Sequence, residues 1–150
     1  MNRKPYNNYG FTLFEMLITI SIISILTLIA IPAYNDIIQH KDLETAKNRI
    51  IHSLKKAKRI ANAENTLVTV KISDNTILLE PSNTNESLSV DIPSRISTEE
   101  INVTFNATGS IYQENDQTIV TTTNIIITPT NNSSIYETIS ISNTGIIASL

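Results

Sequence analysis

Few residues in this chain have the type and spacing for chemistry, and the most conspicuous is an acid in an apolar run. Glu15 interrupts twenty-three otherwise uncharged residues from Phe11 to Ala33. A carboxylate placed in hydrocarbon costs about 2.5–3.5 kcal/mol on insertion scales, and such a group usually has a partner. Gly10 stands just before the run. If the chain is cut after Gly10, Phe11 becomes the N-terminus and carries an amine that is cationic at neutral pH. That amine lies at i and Glu15 at i+4, one helical turn apart, so the two can pair within one chain or between neighbouring chains. The chemistry that such a cut would offer is ion pairing. It is not catalysis by the chain itself.

The remaining reactive types form no constellation. Cysteine is absent, which removes disulfides, thiolate nucleophiles and cysteine metal sites. The two histidines, His40 and His52, and the adjacent acids Glu99 and Glu100 assemble no nucleophile–base set or metal spacing. There is no glycine-rich phosphate loop, so an enzyme is not expected, and neither is a cofactor, a metal or a small-molecule substrate.

The apolar run sets the organisation of the chain. About 20 apolar helical residues cross a bilayer core of ~30 Å. Apolar side chains fall on every side of a helix drawn through 11–34, unlike the one-sided pattern of a globular core helix. Arg3 and Lys4 precede the run and predict a cytoplasmic N-terminus with the remainder translocated. A secretory signal peptide has a shorter apolar stretch with its small residue after it, not before it. A plain signal anchor accounts for the span but not for Glu15.

Past the span, Leu43, Ala46, Ile50, Leu54, Ala57 and Ala61 recur at helical steps, predicting that one helix continues from Phe11 to about Glu64, ~80 Å at 1.5 Å per residue. Its second half, 35–64, is amphipathic and strongly basic between residues 41 and 59. Residues 61–150 carry two basic residues against ten acids, while the whole chain is at −3. From Leu67 the period falls to two. Strands are expected at 67–72, 76–80, 88–92, 101–105, 111–112, 118–128, 135–142 and 146–150, with a turn at Ser73-Asp74-Asn75. Pro81, Pro93 and Pro129 mark loops or strand edges. The expected class is α+β, a long N-terminal helix packed on an antiparallel β-rich head over 65–150. Two segments, "VTFNATGSI" (103–111) and "ISISNTGII" (139–147), share a strand–turn pattern and predict hairpin turns with glycine at positive φ.

Lys4, "GFTLFEM" (10–16), the long apolar helix and "IPAY" (31–34) together resemble the N-terminus of type IV pilins and type II secretion pseudopilins. The resemblance implies a leader, 1–10, that prepilin peptidase removes between Gly10 and Phe11, with N-methylation of Phe11. It implies that Glu15 is the family's assembly acid and that Pro32 matches a proline that loosens the helix in filaments. Phe14 and Met16 depart from the usual aliphatics and remain apolar. The head resembles the minor GspH/FimT group through Phe105-Asn-Ala-Thr-Gly109 and the turn at Gly145. The implied partners are other pilins, inner-membrane assembly proteins and the membrane, with the head in the periplasm before assembly into a pilus or pseudopilus. A DNA-uptake role is the alternative. The stretch "SNTGIIASL" carries no Arg or Lys and the head is acidic, so nucleic acid is disfavoured as a partner.

Overall fold

The computed structural model describes residues 10–73, 75–112 and 122–149. Helix α1, Leu13–Glu64, is followed by nine described strands: β1 Val68–Ser73, β2 Thr76–Pro81, β3 Leu88–Asp91, β4 Ile96–Thr98, β5 Ile101–Phe105, β6 Ile111–Tyr112, β7 Thr122–Pro129, β8 Glu137–Ser142 and β9 Ile147–Ser149. The strands form two antiparallel sheets, ordered β3-β2-β1-β5-β6 and β4-β7-β8-β9. The chain divides into two compact units, one ending at Ile38 and one beginning at Gln39.

The first unit is the apolar part of α1. All fourteen Phe, Leu, Met and Ile side chains from Phe11 to Ile31 are exposed, and by length and composition this segment can cross a membrane. Its hydroxyls need no outside partner. Thr19, Ser21, Ser24 and Thr27 each donate to a carbonyl three or four residues earlier, at 2.7–2.8 Å. Helical assignment passes through Pro32 without interruption, although proline supplies no N–H to the carbonyl of Leu28.

In the second unit the helical stripe named by the sequence is the core of the molecule. Leu43, Ala46, Ile50, Leu54, Ala57 and Ala61 are all buried, and they meet alternate residues of both sheets, including Val68, Val70, Ile72, Phe105, Ile125, Ile127, Ile139 and Ile141. Each strand gives one face to this cluster, as its period of two requires. The helix ends where Asn65 takes a φ of 52° and Thr66 N–H donates to Ala61 O at 3.2 Å. This is a Schellman closure with asparagine in the left-handed position.

Three sequence expectations need correction. The head holds two sheets and nine described strands, where six to eight strands were expected. The unforeseen strand is β4, whose three residues lie too close to Pro93 and the Glu99-Glu100 pair to show a period. It exists because it borders β7, pairing Ile96 with Pro129. Secondly, the last strand but one begins at Glu137 and not Ile135, since Ile135 N–H donates to Asn132 O in a turn. Thirdly, α1 begins at Leu13 and not Phe11. The turn residue Asp74 and the 118–121 part of the expected strand 118–128 lie outside the described residues.

The two look-alike segments build the same turn twice. In one, Gly109 N–H donates to Asn106 O (2.8 Å) and Asn106 N–H to Ser110 O (3.0 Å); in the other, Gly145 N–H donates to Ser142 O (2.8 Å) and Ser142 N–H to Ile146 O (2.9 Å). The glycines have φ of 79° and 70°, as in a type I turn closed by a left-handed residue. The turns also touch each other. Ile111 N–H donates to Asn143 O at 3.0 Å, and a Cβ on Gly145 would fall far inside contact distance of the Gly109 carbonyl oxygen. Lys58 closes the arrangement from α1, its Nζ donating to the carbonyls of Gly145 at 2.9 Å and Thr144 at 3.3 Å.

Gly145→Ala is expected to destabilise the head by about 3 kcal/mol or more, combining left-handed strain with backbone overlap that no rotamer relieves. Thermal or urea unfolding of the soluble head measures this. Stability within 0.5 kcal/mol of wild type (on the order of an ordinary surface change) would contradict the stacked-turn account.

Candidate functional site

The residues singled out for processing and assembly lie at the start of α1. Gly10 and Phe11 precede the helix and are exposed. Thr12 is the N-cap. Its Oγ1 accepts from Glu15 N–H at 3.2 Å, and Glu15 Oε2 accepts from Thr12 N–H at 3.3 Å. These reciprocal bonds form a capping box. Both are long for N–H···O bonds, so each is individually weak. The signature T-x-x-E ahead of an apolar run was present in the sequence and marks Thr12 as a residue that reading for charge alone overlooks.

The box answers part of the question posed by an acid in an apolar run. Glu15 is exposed and its carboxylate folds back toward the first turn, where unpaired N–H groups and the positive end of the helix dipole favour an anion. The carboxylate is therefore directed at the N-terminal end of the helix, where removal of residues 1–10 would leave an amine on Phe11. Arg3 and Lys4 lie outside the described residues. Pro32 sits within α1, well away from this turn in sequence, and shares no interaction with it.

The three glycines of the chain separate by environment. A Cβ on Gly109 would lie 2.7 Å from Lys58 Cε and 2.9 Å from Asn62 Oδ1, and one on Gly145 would overlap backbone, whereas one on Gly10 would meet nothing within 4 Å. The fold needs glycine at 109 and 145. It does not need glycine at 10.

Among the described residues no group of three or more His, Asp or Glu side chains is placed to hold a metal ion. Among the described residues neither His40 nor His52 forms an ion pair with an acid, and Glu99 and Glu100 lie exposed in the link between β4 and β5. The basic stretch of α1 divides by engagement. Lys47 pairs with Glu137 at 3.2 Å, Arg49 Nη1 donates to Asp91 O at 2.6 Å and Lys58 holds the two turns. These three cations stitch the flanks of α1 to the sheets.

Residues 6–31 match the family model of the prokaryotic N-terminal methylation motif. No curated protein matches the sequence. The solved structure of the type IV minor pilin FimU from Pseudomonas aeruginosa superposes with a TM-score of 0.56 at 14% identity, over 73% of this chain and 88% of that chain. At that identity the likeness is one of fold, a long N-terminal helix on antiparallel sheets. The chain therefore carries a prokaryotic N-terminal methylation motif over residues 6–31 and has a fold similar to that of the minor pilin FimU.

The capping box generates a direct expectation. Thr12→Val removes the side-chain acceptor while keeping the shape, and should cost the first turn about 1 kcal/mol, within the usual range for a lost N-cap. Amide exchange at Glu15 in detergent-solubilised protein should then quicken about five-fold, and Thr12→Ser should restore it. Equal exchange in all three proteins would show that the box does not form.

Proposed function

We propose that this chain, with the methylation motif and fold of the type IV pilin family, is a minor pilin or pseudopilin, a structural subunit of a filament assembled from the membrane. Prepilin peptidase cleaves between Gly10 and Phe11 and methylates the new N-terminus. The apolar half of α1 holds the subunit in the inner membrane, with the N-terminus cytoplasmic and the head periplasmic, until it enters the filament. Phe11 and Glu15 then set its register through pairing of the terminal cation of one chain with the acid of another. Pro32 gives the helix a point of weakened hydrogen bonding at which it can loosen on assembly.

One observation carries this reading. A single helix is uncovered along its entire apolar half and forms the core of the head along its other half. A free-standing globular protein has no use for fourteen exposed apolar side chains on one helix. A subunit that is first embedded in lipid and then packed among other helices does. Gly10 supports the processing step, because the folded chain gives no packing reason for glycine there and an enzyme that must bind extended backbone at that bond does.

Protein recovered from cells is expected to begin at an N-methylated Phe11 by intact-mass and N-terminal peptide analysis. Gly10→Val should leave the head folded and the leader attached. Glu15→Ala should be cleaved normally and enter filaments at least ten-fold less efficiently, measured in sheared filament fractions. A leader retained on the wild-type chain would overturn the processing step, and normal incorporation of the alanine variant would overturn the pairing.

A further inference from the structure

Between Gln39 and Ser149 there are nine lysines and arginines. Five are engaged: Lys47, Arg49 and Lys58 as described above, Lys71 with Glu80 at 2.7 Å and Arg95 with Asp42 at 3.6 Å. Of the other four, Lys55, Lys56 and Arg59 fall within five consecutive residues on the solvent side of α1, and none has a hydrogen-bond or ion-pair partner among the described residues. His52 stands one turn before them. No acid occurs in α1 between Thr45 and Ala63, so nothing on the helix itself neutralises this ridge.

A groove runs along each side of the ridge. One lies between α1 and β9, where His52, Lys55 and Arg59 face Gly145 and Ile147. The other lies between α1 and β3, where His52 and Lys56 face Leu88 and Val90. Strands β3 and β9 are the outer strands of their sheets, and Leu88 is 40% exposed. The surface therefore combines unpaired cations with apolar walls. Among the described residues no Phe, Tyr or Trp lines either groove, and His52 is the one ring in both. A nucleic-acid strand would find charge here but no row of aromatic rings for successive bases, while the apolar walls would stay unsatisfied. An acidic protein face that also carries apolar side chains would satisfy both.

This fold can present such a face. Strand register places Asp91 opposite Thr76 and Ile101 opposite Ile72, so Asp91, Glu99 and Glu100 gather at one end of the first sheet, all exposed, beside the half-buried Ile101. The ridge and the rim belong to different parts of one subunit. A contact between them is heterologous, and such contacts propagate along an array rather than closing a pair.

We infer that the ridge Lys55–Lys56–Arg59, with its two flanking grooves, is the docking surface for an acidic, apolar-bearing face on the head of a neighbouring subunit of the same fold. The inference rests on the filament reading proposed above and names its lateral contact. Zero-length carbodiimide coupling of full-length protein in membranes, followed by peptide mass spectrometry, tests it. Lys55 or Lys56 should be joined to a mapped Asp or Glu in the head of another subunit that carries an N-terminal methylation motif, a second copy of this chain included. Lys55→Glu with Lys56→Glu should lower that adduct at least ten-fold, with cleavage after Gly10 and protease resistance of the head unchanged. Changing the mapped acid to lysine in the partner should restore coupling. Absence of intersubunit adducts, adducts only to proteins lacking the motif, or retention of DNA by the head that the double variant loses would overturn the assignment. Loss of cleavage in the wild-type chain would instead strike at the filament reading itself.

Discussion

An α-helix satisfies its own interior backbone groups, and this lets one element serve two solvents. In hydrocarbon every unpaired N–H or C=O costs several kcal/mol (roughly 2–7, depending on the reference), so a segment that enters lipid must close its hydrogen bonds internally. Helix α1 does so except at the Leu28 carbonyl, which Pro32 leaves without its helical donor, and it extends the rule to its side chains, since Thr19, Ser21, Ser24 and Thr27 all donate to their own helix. The same backbone then continues into Gln39–Glu64, where an apolar stripe one side wide replaces apolar coverage on every side. What changes along α1 is the angular distribution of apolar side chains, and with it the surroundings each half requires.

The stripe in turn dictates the head. A stripe containing Ala46, Ala57 and Ala61 lets sheets approach closely, and the side chains that fill the space are Ile and Val from alternate strand positions together with Phe105. Two sheets share one helix, so their relative placement depends on what joins them beyond the common core. The two Thr-Gly turns supply that join on one side, and Lys58 fixes both to the helix. On the other, Asn75 donates to the carbonyls of Pro93 and Ile96 at 3.0 and 2.6 Å, tying the β1–β2 hairpin to the start of β4. Polar contacts of this kind add little individually (about 0.5–1.5 kcal/mol each). Their importance is geometric, because they fix register between layers that apolar packing alone leaves free to slide.

Legibility in the sequence followed the range of the forces involved. The apolar run, the helical stripe and the alternation of β1, β5 and β8 are periodic, and periodicity survives in one dimension. The Thr-Gly turns were legible because glycine at positive φ has a local cause. Strand β4 was not, since three residues hold no period and its existence depends on β7, far along the chain. Likewise the two turns meet through residues distant in the chain, Ile111 with Asn143, and Lys58 reaches Thr144 and Gly145 from more than eighty positions away. Charge in the sequence showed a basic helix. Only the fold separates the cations that stitch it to the sheets from those left facing solvent.

That separation also bears on Glu15. An acid in an apolar helix is commonly explained by one partner, yet here the carboxylate has a local role and a further capacity. The capping box uses one oxygen on a single backbone N–H at 3.3 Å, and an ionised carboxylate can accept about four hydrogen bonds. The box does not compete with an ion pair to an amine. It holds the carboxylate at the helix N-terminus before any partner arrives, so less side-chain freedom is lost on pairing. Thr12 is on this view a positioning residue for Glu15. Under the function proposed above, the capping motif and the assembly motif are one device, in which local helix chemistry prepares an acid to receive the cation that cleavage would create.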